Sequence, residues 1–218
     1  VNYETIYTLT QLTHWLTRLR AAGQFVIDTE TTSLDYMQAE IIGVSFATAA
    51  HEAAYVPLGH DYPGAPDQLP RTEVLQQLKP LLEDPACAKI GQNLKYDMSV
   101  LARYNIALTG IAHDTMLQSY VLDSTATAHN MDTLAAHYLN YKTVTFAEVA
   151  GKGAKQLTFN QVPVDAAAHY AAEDADITLQ LHQTLWPRVQ AQPRLQALYE
   201  EIELPLVAVL SRMERHGV

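Results

Sequence analysis

The sequence contains very little cysteine and no long apolar run. Cys87 is the only cysteine among 218 residues, so it has no partner for a disulfide within the chain. A secreted module held together by disulfides is therefore excluded. No stretch approaches the roughly 18 uninterrupted apolar residues of a membrane span, and residues 1–20 carry polar groups where a signal peptide has an apolar core. These absences predict a cytoplasmic chain with no membrane partner.

Basic residues are also scarce. The chain has 14 Lys and Arg against 24 Asp and Glu, a formal net charge of −10. Proteins that hold nucleic acid by bulk electrostatic attraction are usually basic, so this composition argues against that mode of binding. It leaves open a site in which metal ions neutralise carboxylates. With 48% hydrophobic residues, the chain has the composition of an ordinary folded domain.

Apolar periodicity predicts strands early in the chain and mostly helices after them. Phe25 and Ile27 alternate with Val26 and Asp28, which predicts a strand at 24–30. Further strands are predicted at 40–48, 52–58 and 87–91, the first two in antiparallel hairpins because the gaps are short. Helices are predicted at 9–22, at 72–82 after a Thr72 cap, and at 93–104, 114–123 (capped by Asp114), 131–140, 164–186 and from about 192, with breaks at Pro187 and Pro193.

This order of elements predicts a mixed β-sheet flanked by α-helices, an α/β fold, with α+β as the alternative. Residues 1–190 are predicted to form one domain. The apolar-rich helix that follows suggests that residues 191–218 connect this domain to another one. A C-terminal helix without a following domain is the alternative.

Asp28 and Glu30 form the first candidate site. Side chains two positions apart on a strand project from the same face, with Cα atoms about 7 Å apart. Two carboxylates in this arrangement could converge on one hard cation. An exposed polar strand end is the alternative interpretation.

Two further aspartates lie on apolar helix stripes. Asp97 shares its stripe with Leu94 and Leu101, and Asp174 shares its stripe with Ile177. Burying an unpaired carboxylate costs several kcal/mol, so each aspartate needs a cation, backbone donors or a metal. A structural hydrogen bond or salt bridge is the alternative, although lysine and arginine are scarce.

The acids beside Asp174 provide a contrast. Glu173 and Asp176 are rotated by about 100° and 200° from Asp174 on a helix of 3.6 residues per turn, so they point away from the stripe. Both are predicted to be exposed to solvent.

Four inward carboxylates without a cysteine or histidine cluster favour Mg²⁺ or Mn²⁺ over zinc. Two such ions about 4 Å apart can stabilise both the attacking and the leaving oxygen of a phosphoryl displacement. Tyr170 lies one helical turn before Asp174, where its phenol could orient a water molecule; aromatic packing is the alternative. The acids therefore predict phosphodiester chemistry.

The segment 141–162 differs in charge from the rest of the chain. It contains three lysines and one acid, a local charge of +2, in a chain of −10. A flexible Gly-Lys-Gly loop with neighbouring aromatic rings could contact phosphates and stack on unpaired bases. A solvated loop with its aromatic rings in the core is the alternative. The aromatic residues concerned are Tyr141, Phe146 and Phe159.

Three short motifs carry a resemblance to a known family. In order and spacing they resemble the exonuclease motifs of the DEDDy 3′–5′ exonucleases. The longer stretches FVIDTETTSLD, TFAEVAGKGAKQLTFNQ and YAAEDADITLQLH are similar to the proofreading domain of bacterial DNA polymerase I, and the similarity covers nearly the whole chain. The motifs are Asp28-Thr29-Glu30, Asn93-Leu94-Lys95-Tyr96-Asp97 and Tyr170-Ala171-Ala172-Glu173-Asp174.

The resemblance implies an RNase H-like fold and the release of nucleoside 5′-monophosphates from a single-stranded or frayed DNA 3′ end. It implies two divalent ions, Mg²⁺ or Mn²⁺, with Asp28 bridging both. Glu30 and Asp174 would hold the ion that carries the attacking water, and Tyr170 would orient that water. Asp97 would hold the second ion, largely through water.

The resemblance also implies five substrate contacts. Leu34 and Phe146 match positions that pack against the terminal bases, and Gln92, Asn93 and Tyr96 would lie near the nucleotide. The implied partner is the polymerase domain of a parent chain. Sparse basic charge predicts weak DNA binding by the present chain alone.

Two other functions remain open on the sequence. One is a 3′–5′ exoribonuclease resembling RNase D, against which the polymerase-like stretch at 141–162 counts. The other is a non-catalytic spacer that keeps only the fold, which the intact motif acids oppose. Serine hydrolases, P-loop NTPases and nicotinamide enzymes fit poorly, because their nucleophile-elbow, Walker and Rossmann glycine motifs are all missing.

Overall fold

The computed structural model describes residues 1–218 as a six-stranded sheet with helices on both faces. This arrangement confirms the predicted α/β class. The strands are β1 (Asn2–Thr5), β2 (Gln24–Thr31), β3 (Ile41–Ala49), β4 (Glu52–Pro57), β5 (Ala88–Gly91) and β6 (Ile111–Asp114). The helices are α1 (Leu9–Ala22), α2 (Arg71–Leu82), α3 (Leu94–Arg103), α4 (Thr115–Leu122), α5 (Met131–Leu134, continued by a π-helical turn Ala135–Leu139), α6 (Phe146–Ala150), α7 (Val164–Gln190), α8 (Pro193–Leu198) and, after a second π-helical turn Tyr199–Glu203, α9 (Leu204–Arg215).

The strand order β1-β4-β3-β2-β5-β6 places β2 near the centre of the sheet. β2, β3 and β4 form the two predicted antiparallel hairpins, whereas the other pairs are parallel. β5 pairs with only Gln24, Phe25 and Val26 of β2. The C-terminal half of β2, which carries Asp28 and Glu30, is therefore free of a strand on that side.

The two faces of the sheet bury different helices. Phe25 and Ile27 pack into the main core with α1, α2 and α3. Val26 faces the other way and packs against Ala172 and Ala175 of α7. Because strand side chains alternate, Asp28 and Glu30 follow Val26 onto the α7 face, and Thr29 points to the α3 face.

Several local predictions differ from the structure. β1 and β6 were not predicted, because neither shows a clear alternation of apolar and polar residues. The helix α2 begins at Arg71 after Pro70, so Thr72 is not its cap. The helix α7 continues through Pro187 to Gln190, since buried residues on both sides of the proline keep it packed.

The last helices pack against the rest of the chain. The side chains of Ser99 in α3 and Ser211 in α9 hydrogen-bond at 2.8 Å, and Lys95 forms an ion pair of 2.6 Å with Glu214. The predicted division into residues 1–190 and 191–218 stays a prediction. No helix is both long enough and apolar enough to cross a membrane.

Candidate active site

Three of the four predicted acids converge. One carboxylate oxygen each of Asp28, Glu30 and Asp174 lies within 4.8 Å of the others. Asp28 and Glu30 come from β2 and Asp174 from α7, so the site forms where the central strand meets the long helix. More than 140 positions of sequence separate Asp174 from the two acids of β2, and the fold brings them together.

The local sequence of α7 explains how Asp174 reaches the strand. Ala167, Ala171 and Ala175 recur every four residues on one side of the helix and are completely buried. Small side chains on this stripe let the helix backbone lie close to the sheet. Asp174 and Tyr170 flank this stripe and reach the end of β2.

Asp97 lies outside this group of three, although it is buried beside it. Its Oδ1 accepts hydrogen bonds from the backbone N–H of Thr29 at 3.0 Å and from the Thr29 hydroxyl at 2.6 Å. These donors are on the α3 side of β2, at the edge that β5 leaves free. Asp97 therefore joins the site through the residue between Asp28 and Glu30, and its predicted role as a metal ligand stays a prediction.

Burial raises the pKa of all four acids, and the charges of neighbouring acids raise three of these pKa values further. Burial raises the pKa of Asp28 to about 6. Burial and the charges of Asp28 and Asp174 raise the pKa of Glu30 well above its usual value. For Asp97 and Asp174, burial and the charge of Asp28 have the same effect on the pKa. The chain's six ion pairs involve none of these four acids.

The donor set fits divalent metal ions. Carboxylate oxygens are the ligands that Mg²⁺ and Mn²⁺ prefer, and a cation would remove the repulsion that raises these pKa values.

Tyr170 lies beside the acids. Burial and the charge of Asp174 raise the pKa of its phenol, so the hydroxyl keeps its proton at neutral pH.

A cleft of about 600 Å³ opens beside the acids. Glu30 and Tyr170 line it, together with Leu34, Tyr96 and Phe146. The cleft therefore holds five of the ten predicted site residues. Its aromatic rings and Leu34 suit the packing of flat bases, and threonine and serine side chains line much of the rest.

The walls of the cleft differ in exposure. Leu34 is 92% exposed and Phe146 is 36% exposed, so both apolar side chains face solvent. Phe146 stacks on Phe159, with ring centroids 6.4 Å apart and planes at 19°. The hydroxyl of Tyr96 donates to the backbone oxygen of Ser33 at 2.5 Å, which holds the loop that carries Leu34.

Two predicted substrate contacts lie elsewhere. Gln92 donates to the backbone oxygen of His129 at 2.9 Å and also contacts Thr115. Asn93 has a left-handed backbone with φ of 60°, and its N–H donates to Asp114 at 3.1 Å. Neither lines the cleft, and their predicted role near the nucleotide stays a prediction.

Asp114 has a role that the sequence did not reveal. The prediction that it caps α4 is confirmed, since it accepts from the N–H groups of Met116 and Leu117. It also accepts from the N–H groups of Asn93 and Leu94, at 3.1 and 2.8 Å. One buried carboxylate therefore fixes the start of α4 and the start of α3, the helix that carries Asp97.

Two predictions about neighbouring residues were wrong. Glu173 and Asp176 are 2% and 1% exposed, because donors from distant segments cover the side of α7 that the apolar pattern leaves to solvent. Phe159, predicted among the base-stacking rings, is 1% exposed and packs in the core with Tyr55 and Val162, and its ring also lines the cleft. Of the three aromatic residues in that segment, Phe146 and Phe159 line the cleft and Tyr141 does not.

Comparison with known proteins gives a consistent family. The model of the 3′–5′ exonuclease family matches residues 3–190. DNA polymerase I of Pseudomonas aeruginosa is 55% identical over 100% of this chain and 24% of its own length. DNA polymerase I of Rhizobium leguminosarum is 46% identical over 99% of this chain and 23% of its own length. The chain thus spans about a quarter of these curated relatives.

Solved structures share the fold. The polymerase domain of Pol1 from M. smegmatis, in complex with DNA primer-template and dNTP, superposes with a TM-score of 0.75 at 20% identity, over 99% of this chain and 32% of that one. Brucella melitensis NrnC bound to pGG gives 0.70 at 17% identity, over 99% and 93%. Since the family model covers residues 3–190 and both sequence relatives are DNA polymerase I, the chain belongs to the 3′–5′ exonuclease family found in that polymerase.

Proposed function

We propose that this chain is the proofreading exonuclease of a DNA polymerase I. Its substrate is a single-stranded or frayed DNA 3′ end, and its product is a nucleoside 5′-monophosphate. Family membership supports the reaction class. The observation that carries the proposal is the convergence of Asp28, Glu30 and Asp174 beside a cleft that Glu30 lines.

The four acids are the proposed ligands of two divalent ions, Mg²⁺ or Mn²⁺. When bound, such ions supply charge stabilisation to the attacking and leaving oxygens of a phosphoryl displacement. Asp28 is the proposed shared ligand, because its charge raises the pKa of each of the other three acids. Glu30 and Asp174 would hold one ion with it, and Asp97, held by Thr29, would hold the other.

Tyr170 is the proposed group that orients the attacking water. Its hydroxyl stays protonated because its pKa is raised, so it can donate one hydrogen bond and accept another. Phe146 and Phe159 pack against its ring at 6.2 and 6.0 Å between centroids. These contacts fix the direction in which the phenol points.

Leu34, Phe146 and Tyr96 are the proposed walls for the last bases of the strand. Leu34 and Phe146 offer exposed apolar surface, and base stacking on such surfaces does not depend on sequence. A proofreading site needs this tolerance, because any mispaired nucleotide must enter.

The polymerase domain of the parent chain is the proposed partner that supplies most of the DNA affinity. The chain carries a net charge of −10, so it offers few phosphate contacts of its own. We infer that residues 1–190 form the exonuclease unit and residues 191–218 lead toward that domain. Ile202, Leu206 and Met213 support this, since they leave apolar surface uncovered on the last helices.

The proposal is tested with 3′-labelled single-stranded DNA in Mg²⁺, in Mn²⁺ and in chelator. We expect mononucleotide release that requires the metal and that Asp97→Ala abolishes. Asp165→Ala, which changes an exposed acid at the start of α7, is the matched control and should act like the wild type. Release in chelator, or equal release by Asp97→Ala, would overturn the proposal. Faster cleavage of labelled RNA than of DNA would favour a ribonuclease instead.

A further inference from the structure

Glu173 links α7 to the segment that leads to the cleft wall. Its Oε1 accepts from the hydroxyl of Tyr141 at 2.7 Å, and its Oε2 accepts from the backbone N–H of Val144 at 2.6 Å. The side chain is buried, and no ion pair involves it. Both carboxylate oxygens are therefore used to hold residues 141–144, which have no regular secondary structure.

The anchored segment ends at Phe146. Thr145 caps α6, with Glu148 completing the capping box, so Phe146 is the first helical residue after the segment. Its side chain lines the cleft. The position of Phe146 is thus set by two neighbours, the anchored segment before it and the Phe159 ring beneath it.

Glu173 precedes Asp174 in the same helix. One rigid element therefore carries a proposed metal ligand and the anchor of the cleft wall. We propose that Glu173 is a positioning residue that holds Phe146 at a fixed distance from the acid cluster, so that the terminal base stacks while its phosphate reaches the acids. This inference rests on the proposed exonuclease function and names a further determinant of substrate binding in the same site.

Asp176 gives a matched comparison within the same helix. It is equally buried, and it also accepts from one tyrosine hydroxyl and one backbone N–H, those of Tyr3 and His51, each at 2.7 Å. A third bond comes from the side chain of Gln180, one turn later in α7, at 2.9 Å. Its partners outside α7 belong to β1 and the turn between β3 and β4, away from the cleft. Loss of Asp176 should therefore reduce stability without moving Phe146.

The test measures kcat, KM and Mn²⁺ affinity on single-stranded DNA for Glu173→Ala, Glu173→Gln and Asp176→Ala. The glutamine oxygen can accept from Val144, and its amide can donate to the hydroxyl of Tyr141, so this variant keeps both contacts. For Glu173→Ala we expect a rise in KM of about tenfold, the effect of losing one base–aromatic stack. A tenfold rise in KM corresponds to about 1.4 kcal/mol. The kcat and Mn²⁺ affinity of Glu173→Ala should stay within about twofold, because this variant leaves the four proposed metal ligands in place.

A double variant shows whether Glu173 acts through Phe146. In a Phe146→Ala background, Glu173→Ala should raise KM no further, because the wall it positions is gone. Tyr141→Phe removes one anchor and keeps the carboxylate, so it should raise KM by a smaller factor. This variant decides the matter if Glu173→Ala does not fold.

The proposal is supported if KM rises for Glu173→Ala, recovers for Glu173→Gln and is unchanged for Asp176→Ala. It is overturned if KM does not change, if Asp176→Ala raises KM equally, or if the effects of Glu173 and Phe146 simply add. A fall in kcat that follows lost Mn²⁺ affinity also overturns it, since the change would then act on Asp174. If the wild-type chain releases no nucleotide, the proposed function itself fails, and this inference fails with it.

Discussion

Asp97 accepts two hydrogen bonds from Thr29, the residue between the two acids of β2. The backbone N–H bond exists because β5 leaves that edge of β2 unpaired. The hydroxyl bond, at 2.6 Å, gives the buried carboxylate a second donor. Thr29 therefore ties Asp97 to Asp28 and Glu30, although its own side chain points to the opposite face.

Replacing Thr29 should show how much its hydroxyl bond to Asp97 contributes apart from its backbone N–H bond. Thr29→Val keeps the shape and the backbone donor but removes the hydroxyl, which leaves Asp97 less firmly oriented. We expect a loss of about 10- to 100-fold in metal affinity or nuclease rate, typical of residues that orient metal ligands. Thr29→Ser keeps the hydroxyl and should retain most activity. Titration of Mg²⁺ against the cleavage rate measures both, and equal losses in the two variants would contradict the argument.

Much of this site could be predicted from sequence periodicity. Alternation along β2 places Asp28 and Glu30 on one face, and the 3.6-residue period of α7 places Tyr170 and Asp174 on one stripe. Both patterns are local, so the sequence alone contains them. The convergence of these elements follows from the order of the strands in the sheet, which periodicity does not contain. Only the resemblance implied that the acids share one site.

The burial of Glu173 and Asp176 could not be predicted in this way. Their donors come from Tyr141 and Val144 in one case, and from Tyr3 and His51 in the other. These contacts span 29 to 173 positions along the chain. A helical wheel shows which side of α7 is polar, but not whether a distant tyrosine covers it.

The acid cluster should make the metal-free chain less stable than it could be. Asp28, Glu30 and Asp174 lie within 4.8 Å of one another without a basic partner, so removing one charge relieves repulsion. In chelator, we expect Asp174→Asn to raise the free energy of unfolding by about 1 kcal/mol, while metal-dependent cleavage is lost. Urea unfolding measures the first effect and nucleotide release the second.

With metal bound, the wild type should be more stable than Asp174→Asn, the reverse of their order in chelator. Mn²⁺ at about 100 times its dissociation constant stabilises a folded protein by about 2.7 kcal/mol, and Asp174→Asn should not gain this. Asp165→Asn, an exposed acid in the same helix, should behave like the wild type in both conditions. An asparagine variant that is less stable in chelator would show that Asp174 is a structural residue.

A histidine pair should make stability fall in mild acid. The rings of His113 and His182 lie 4.1 Å apart, and burial lowers the pKa of His182 to about 3. An unfolded histidine has a pKa of about 6.5, so below that pH the unfolded chain binds the extra proton and is favoured. The stability that neutral His182 contributes is complete above pH 6.5 and is lost progressively as the pH falls toward its folded pKa.

The difference between the unfolded and folded pKa values of His182 sets the size of this loss of stability. Between pH 6.5 and pH 5, His182 should remove about 2 kcal/mol from the free energy of unfolding. His182→Gln should therefore lose less stability than the wild type over this interval, whereas His14→Gln, at an exposed position, should not differ from it. Urea unfolding in chelator at both pH values measures this, and parallel losses in all three proteins would contradict the assignment.

Gly43 should be intolerant of a side chain because Tyr55 occupies the space beside it. A Cβ at Gly43 would lie 2.1 Å from the hydroxyl oxygen of Tyr55, whose ring is completely buried. Gly43 pairs with Glu30 in the sheet, so an alanine would push Tyr55 inward or move the strand that carries Glu30. We expect Gly43→Ala to lower the free energy of unfolding by about 1–3 kcal/mol and to weaken Mn²⁺ binding.

Gly59 provides the control. The nearest atom to a Cβ there is the flexible end of Ile42 at 3.0 Å, so Gly59→Ala should lower the free energy of unfolding by less and leave the metal affinity unchanged. Urea unfolding and Mn²⁺ titration of both variants test this, and equal effects at the two glycines would rule out a special role for the contact with Tyr55.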